Sequence, residues 1–488
     1  MRPSPARLLL VATPVLALLL AGCSSGDEPV AFTSGVAAFE ARDDGAVLWT
    51  RVDREAALTL EVAEDASFSQ IAATQDARAD AGSDFTAQAQ VTGLLPATAY
   101  YYRFRDGDAV SAAGAFRTAQ AIDDSGPVRF VFSGGTDGAP AFDFRALETA
   151  LADEPDFFLY VGDTIAPGVA SLDAFRARYR ENRAVAPLAG LLAKTSTYAV
   201  WDDNEVEPDF AGATVSPALL AAGRQAFLEY LPLAPDDVLY RRVRWGSAVE
   251  LFILDTRSYR DDNVSAVCTP GGASAPDVLP ALGAPDTPAA YRALRAAIGL
   301  PPESNIECLN ALSNPARTML GAEQRAWLFA ALDESDATFK FIVAPAPIAE
   351  LIAQPYDRWE GYRAERDLVV RAIAERGIEN VVFLSTDLQA SLIADVRVDL
   401  ASPPVAVEAV AGPVGAETLG AAITRTQGER AVPVYEQLLR QVAGVSCTAF
   451  DAHSYGLVEV DPIAGTATIT LKDEDGALLC RTVVQAAE

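Results

Sequence analysis

Four apolar runs in this chain end in aspartate: Phe157 to Asp163, Thr197 to the pair Asp202-Asp203, Val249 to Asp255, and Asn380 to Asp387. Carboxylates at the strand ends of an α/β sheet converge in the crevice where such folds place ligands. Several oxygens gathered there without histidine or cysteine suit a hard cation such as Ca²⁺, Mg²⁺ or Mn²⁺. The competing reading is that an aspartate after a strand is a turn former or an N-cap, the usual fate of such residues one at a time. For four together both readings stay open. His453 is the single histidine, which excludes HExxH zinc sites and multi-histidine metal centres. Asp451 and Ser454 flank it, but neighbours along a strand do not point at one another, and no GxSxG elbow accompanies them. A structural or loop histidine is the simpler reading.

The elements that must position these carboxylates follow from the apolar pattern. From Pro127 onward, buried-type runs alternate with helical stretches: Val128 to Ser133, Phe157 to Asp163, Thr197 to Asp203, Val249 to Asp255, Phe339 to Pro345 and Asn380 to Asp387. Continuous apolar runs of that length predict strands covered on both faces, hence an α/β sheet. Ser216 before Pro217 predicts a helix start, and Gly377 predicts the end of a helix beginning near Arg363. The tail returns to strands at Tyr455–Val460 and Thr466–Leu471. Trp49, Trp201, Trp245, Trp327 and Trp359 read as core or interface anchors.

Before Pro127 the pattern has period two, as in Ala46–Val52, Leu58–Val62 and Tyr100–Arg105. The segment Leu94-Leu95-Pro96-Ala97-Thr98-Ala99-Tyr100 resembles the tyrosine corner of fibronectin type III-like domains. Residues 31–119 are therefore expected to form a fibronectin type III-like β-sandwich, joined by a polar linker to a second domain over 127–488.

The chain begins with an address. Arg2 and Arg7 precede an apolar run from Leu8 to Leu20, then Ala21, Gly22 and Cys23. The run is shorter than the ~20 apolar residues that a bilayer span needs, so a signal peptide over 1–22 is favoured over a transmembrane anchor. Leu20-Ala21-Gly22-Cys23 resembles a bacterial lipobox, which makes Cys23 the lipidated residue and 23–30 a tether. The expectation is an exported bacterial lipoprotein of the cell envelope. Ser24 after the cysteine favours the outer membrane, the lipid anchor being the only membrane contact. In an oxidising compartment Cys268, Cys308, Cys447 and Cys480 are left for two disulfides. Of three connectivities, nearest-neighbour pairing is preferred, and the absence of CxxC spacing argues against a four-cysteine metal site.

Lys and Arg number 38 against 67 Asp and Glu, a net charge of -29 over 488 residues. Such a surface repels phosphate backbones, which excludes nucleic acid as a general partner. A monomer is expected.

An ordered series of motifs resembles the alkaline phosphatase D (PhoD-like) metallophosphoesterases. Gly45–Arg51 is similar to that family's opening strand, and Asp156–Asp163 to its "PDFxLxxGD". Trp201–Val206 is similar to "WDDHEV" with one change, Leu254–Arg260 to "LDTRxYR" and Leu320–Leu328 to "LGxxQxxWL". Trp359–Arg366 is similar to "WxGYxxER", and Val381–Gln389 stands where "VVFLTGDxH" belongs. The resemblance implies a calcineurin-like αββα metallophosphatase core behind the sandwich, and hydrolysis of a small phosphoester by metal-activated water. It implies metal ligands at Asp163, Asp202, Asp203 and Asp387, and catalytic roles for Asp203, Asn204, Arg257 and Gln389, with Arg257 as a phosphate contact.

The departures are as informative. The family's metal-binding cysteine falls on Gly134, its tyrosine on Ala166, and its two histidines on Asn204 and Gln389. With every soft or aromatic ligand replaced, the expectation is that the family's iron site is lost while an all-oxygen site for a divalent cation (Ca²⁺, Mg²⁺ or Mn²⁺) survives, helped by Asp137. An amide cannot exchange a proton near neutral pH as imidazole does. Two functions are therefore expected as alternatives: a phosphoesterase with a remodelled site, or an inactive pseudoenzyme, a surface lipoprotein that binds a phosphorylated or cationic ligand or a partner protein.

Overall fold

The six apolar runs are six strands in the computed structural model, which describes residues 29–234, 238–268, 306–351, 356–399, 402–442 and 444–487. Residues 1–28, and with them the expected signal peptide, Cys23 and most of the expected tether, lie outside the described residues.

Two sheets face each other. The first has nine strands in the order Leu478–Gln485, Thr466–Asp473, Ser454–Asp461, Val128–Ser133, Phe157–Val161, Ser196–Val200, Phe32–Arg42, Gly45–Val52 and Thr86–Val91. The second has seven, in the order Arg241–Trp245, Val249–Ile253, Phe339–Val343, Val381–Ser385, Pro404–Val410, Ser391–Arg397 and Val445–Ala449. Strand periodicity divides the labour within a single run. Phe157, Leu159 and Val161 point between the sheets, where Phe130 meets Phe341 edge-on with ring centroids 5.2 Å apart. Phe158 and Tyr160 point the other way, against Leu147, Phe175, Leu191 and Phe227 of the outer helices. On the far side Phe252, Ile342 and Phe383 meet Leu328, Val370 and Ile373 of the helices Gly321–Glu334 and Arg363–Glu375. The layers run helix, sheet, sheet, helix. That is why the runs are apolar almost throughout, with Arg129, Glu250 and Lys340 the charged exceptions.

Pro217 opens the helix Pro217–Tyr230 with Ser216 as its N-cap residue. Gly377, at φ 63°, follows the helix Arg363–Glu375, and Ile378 N–H reaches back to Ile373 O at 3.0 Å. The Tyr100 hydroxyl accepts the Leu95 N–H at 3.0 Å, the corner bond expected from its spacing.

The N-terminal strands hold a less expected feature. A second N-terminal sheet, Ile71–Ala79, Ala56–Ala63, Ala99–Asp106 and Ala109–Val110, stands apart, with Gly114–Arg117 also pairing on Ala99–Asp106. The strands Phe32–Arg42, Gly45–Val52 and Thr86–Val91 instead extend the nine-stranded sheet, with Ala38 and Phe39 in parallel register with Ser196 and Thr197. Val36 to Ala41 are accordingly buried without interruption. Arg241 from the second sheet donates its Nε to Glu40 at 2.9 Å, a buried ion pair that fastens this strand to both sheets. Disulfides join Cys268 to Cys308 and Cys447 to Cys480, the nearest-neighbour pairing.

Candidate metal centre

Loops at the ends of the parallel strands bring the carboxylates together. The chain leaves Val128–Ser133 through Gly134, where a Cβ would lie 2.2 Å from Val161 O, so the loop can pass only because this residue has no side chain. Asp163, Asp387 and Gln389 all sit at positive φ, at 53°, 55° and 56°. L-residues adopt that region at a cost, and such strain collects where side chains must be aimed.

Asp163, Asp202 and Asp203 each present an oxygen within 4.8 Å of the others. Asp163 is 4 % exposed and Asp202 fully buried. Asp203, Asp209 and Asp357 form a second such group around the shared Asp203. Asp387 belongs to neither group, and Asp255 has another task. Its Oδ1 accepts Trp201 Nε1 at 3.0 Å and the N–H groups of Arg257 and Ser258 at 3.1 and 3.0 Å, which makes it the turn former of its loop.

Hydrogen bonds account for some of the carboxylate oxygens. Gln389 Nε2 donates to Asp163 Oδ2 at 3.0 Å, Asn204 Nδ2 to Asp137 Oδ2 at 3.1 Å, and Arg257 Nε to Asp202 Oδ1. The other oxygens, Asp137 Oδ1, Asp163 Oδ1 and Asp202 Oδ2, are buried with no partner among the described residues. An unpaired buried acceptor costs ~1–3 kcal/mol, and an ionised one more. Three such oxygens on carboxylates that repel one another call for protons or a cation.

The electrostatics agree. Burial pushes the Asp163 carboxyl well above the usual carboxylate range, and Asp203, Asp202 and Asp137 add repulsion. Burial raises Asp202 as well, against the opposing pull of Arg257. Asp137 is pushed up to about 7 by burial, then by Glu205 and Asp203, and Asp387 to about 6 by burial, then by Asp357. Beneath them Glu205 accepts Asp202 N–H at 2.8 Å and both the N–H and hydroxyl of Thr164, so one carboxylate fixes the loops that carry Asp163 and Asp202.

Arg257 is placed differently from a free phosphate contact. Its guanidinium is 0 % exposed and bridges Asp202 to Asp357, with Nη1 donating to Asp357 Oδ1 at 3.0 Å. Burial would raise Asp357, but Arg257 and Arg260 outweigh it and hold the carboxyl at about 2. Asp357 and Asp209, which share the second group with Asp203, are residues that the strand-end pattern does not mark, because they arrive on loops.

The PhoD-like phosphatase family model matches residues 130–469. The chain belongs to the PhoD-like phosphatase family. The model of the family's N-terminal domain matches residues 20–120. The chain is 27% identical over 446 residues to alkaline phosphatase D of Bacillus subtilis (strain 168), covering 80% of this chain and 69% of that protein. The solved structure of PhoD superposes with a TM-score of 0.73 at 23% identity, over 94% of this chain and 92% of that one. Purple acid phosphatase PPD1 from yellow lupin seeds gives 0.55 at 9% identity, over 92% and 74%. These two likenesses show the metallophosphatase-like α/β fold. For this PhoD-like chain the donor set is all oxygen, and its orphaned carboxylates fit a hard cation.

Proposed function

We propose that this protein is an exported phosphoesterase whose centre holds a hard divalent cation on Asp163, Asp202 and Asp203. The three partnerless oxygens of Asp137, Asp163 and Asp202 carry this reading. When bound, a divalent cation supplies an acidified water and neutralises charge on phosphoryl oxygens. The chain's own residues do the rest. Glu205 and Gln389 hold the loops and the Asp163 carboxylate in place. Asp137, oriented by Asn204, can hold a proton near neutral pH, which neither Asn204 nor Gln389 can do. The family's iron has no home here in this reading. Gly134 stands where its cysteine ligand would be, and the 2.2 Å approach of Val161 O leaves no room for any side chain.

Two measurements test this. Purified protein lacking the lipid anchor, incubated with bis-p-nitrophenyl phosphate and Ca²⁺, Mg²⁺, Mn²⁺ or Fe³⁺, should release nitrophenol with at least one hard divalent ion. No release with any metal and no metal retained on elemental analysis would sink the proposal. Gly134→Cys should fail to recruit iron and should lower the melting temperature by several degrees, because the new Cβ collides with backbone; a variant that gains stoichiometric iron contradicts the lost iron site.

A second reading, an inactive module binding a phosphorylated ligand, is favoured by the two amides that stand in the imidazole positions and donate to Asp137 and Asp163. Phosphate binding without turnover would decide for it.

A further inference from the structure

Seven arginines among the described residues are less than one-tenth exposed. Six of them donate to protein oxygens. Arg176 pairs with Glu229, Arg241 with Glu40, Arg257 with Asp202 and Asp357, and Arg260 with Asp357. Arg183 donates to Tyr230 O and Arg366 to Ile348 O. The seventh is Arg358. It is 5 % exposed, and its Nε and Nη2 are buried with no partner among the described residues. Arg358 lies close enough to Asp387 to attract its charge, but no oxygen among the described residues accepts from its Nε or Nη2. Buried donors left without acceptors are costly, and such an edge marks a group kept for a ligand.

The ligand's chemistry follows from the place and the shape. Arg358 comes directly after Asp357, whose carboxylate is already taken by Arg257 and Arg260, so the adjacent acid does not serve it. Asp357 shares an oxygen cluster with Asp203 of the metal centre, and Arg358 acts on the charge of Asp387, which puts the guanidinium beside the same site. Nε and Nη2 lie along one edge of the planar group. That edge matches two oxygens of a phosphoryl group, each accepting one N–H.

We propose that Arg358 is the phosphoryl-binding residue of this site, gripping two non-bridging oxygens of a phosphate ester, while Arg257 is a positioning residue that holds Asp202. This rests on the phosphoesterase reading for its ligand class, but its test does not need turnover. The geometry separates the two arginines: carboxylates stand against Nε, Nη1 and Nη2 of Arg257, whereas no acceptor among the described residues meets Nε or Nη2 of Arg358.

Inorganic phosphate is the probe, titrated calorimetrically into the Mg²⁺-loaded protein. Arg358→Met should weaken phosphate binding by on the order of a hundredfold, as loss of a buried hydrogen-bonded charge contact does. Arg358→Lys, which keeps the charge and loses the fork, should weaken it by about tenfold. Both variants should retain Mg²⁺ as the wild type does, and phosphate should raise the melting temperature of the wild type and leave that of Arg358→Met unmoved. Should Arg358→Met fail to fold, Arg358→Lys alone decides. Wild-type phosphate affinity in either folded variant, or a wild type that binds no phosphate, overturns the proposal. Arg358-dependent phosphate binding without ester hydrolysis keeps this inference and removes the enzyme reading. Hydrolysis with unchanged KM and phosphate affinity in Arg358→Met does the reverse.

Discussion

Asp163→Asn should abolish retention of the proposed divalent cation, lower the proposed diesterase activity by at least about a thousandfold, and leave the cation-free protein more stable than the wild type. The first two effects follow from the loss of a charged ligand within 4.8 Å of Asp202 and Asp203. The third has the opposite sign from an ordinary core substitution. Asp163 is 4 % exposed, its Oδ1 has no partner, and burial together with Asp203, Asp202 and Asp137 disfavours its ionised form. Asparagine keeps an oxygen to accept from Gln389 Nε2 and removes the charge from the cluster. Relief of an unpaired buried acceptor is worth ~1–3 kcal/mol. Thermal melting in chelator gives the answer: the variant melts a few degrees above the wild type, and the order reverses when a saturating cation is added. A variant that is destabilised in chelator would mean that Asp163 is held by contacts within the fold, and the cation site would go with it.

The fold was legible because its strands are covered on both faces. A run such as Phe157–Val161 must be apolar at every position to face the second sheet and the helices at once, and that makes it visible without any structure. The strand-end aspartates were legible as a group and ambiguous one by one. Asp255 has the same residue type and the same place at the end of a run as Asp163. Yet the N–H groups of Arg257 and Ser258, two and three residues on, turn inward and claim its oxygen. Nothing in residue type foretells that difference; it depends on the path of the loop. Arg257 shows the complementary limit. Its chemistry suits phosphate, but two carboxylates from distant loops bury it, and only the three-dimensional packing reveals that Asp357 is one of them. Arg358 escapes a reading by pattern for the same reason, because the signal is the absence of an acceptor, and absence is not written in a sequence. The sharing of a sheet between the N-terminal strands and the core left a fainter trace, the unbroken apolar stretch Val36 to Phe39.

Cation binding should strengthen steeply with pH between about 4 and about 7, and the stability of the cation-free protein should fall across the same window. Asp137 is held at about 7 and Asp387 at about 6, with Asp163 and Asp202 also raised, while an unfolded aspartate ionises near ~3.9. Between those limits the native state keeps protons that the unfolded state has released. More protons on the native state means that its stability declines as pH rises, the reverse of the behaviour expected of a salt-bridged carboxylate such as Asp357, held at about 2. A divalent cation takes the place of those protons, so each one displaced adds up to about one tenfold gain in affinity per pH unit. The cation-induced rise in melting temperature should therefore be small at pH 5 and large at pH 8, and calorimetry in buffers of different ionisation enthalpy should record proton release on binding near pH 6. Because burial is the first cause of every one of these upward shifts, Asp203→Asn should lessen the repulsion on Asp137 and Asp163 without restoring ordinary carboxylate behaviour. A melting shift that is the same at both pH values would show that the cation binds elsewhere, on carboxylates already ionised, and that the buried cluster is held by protons alone.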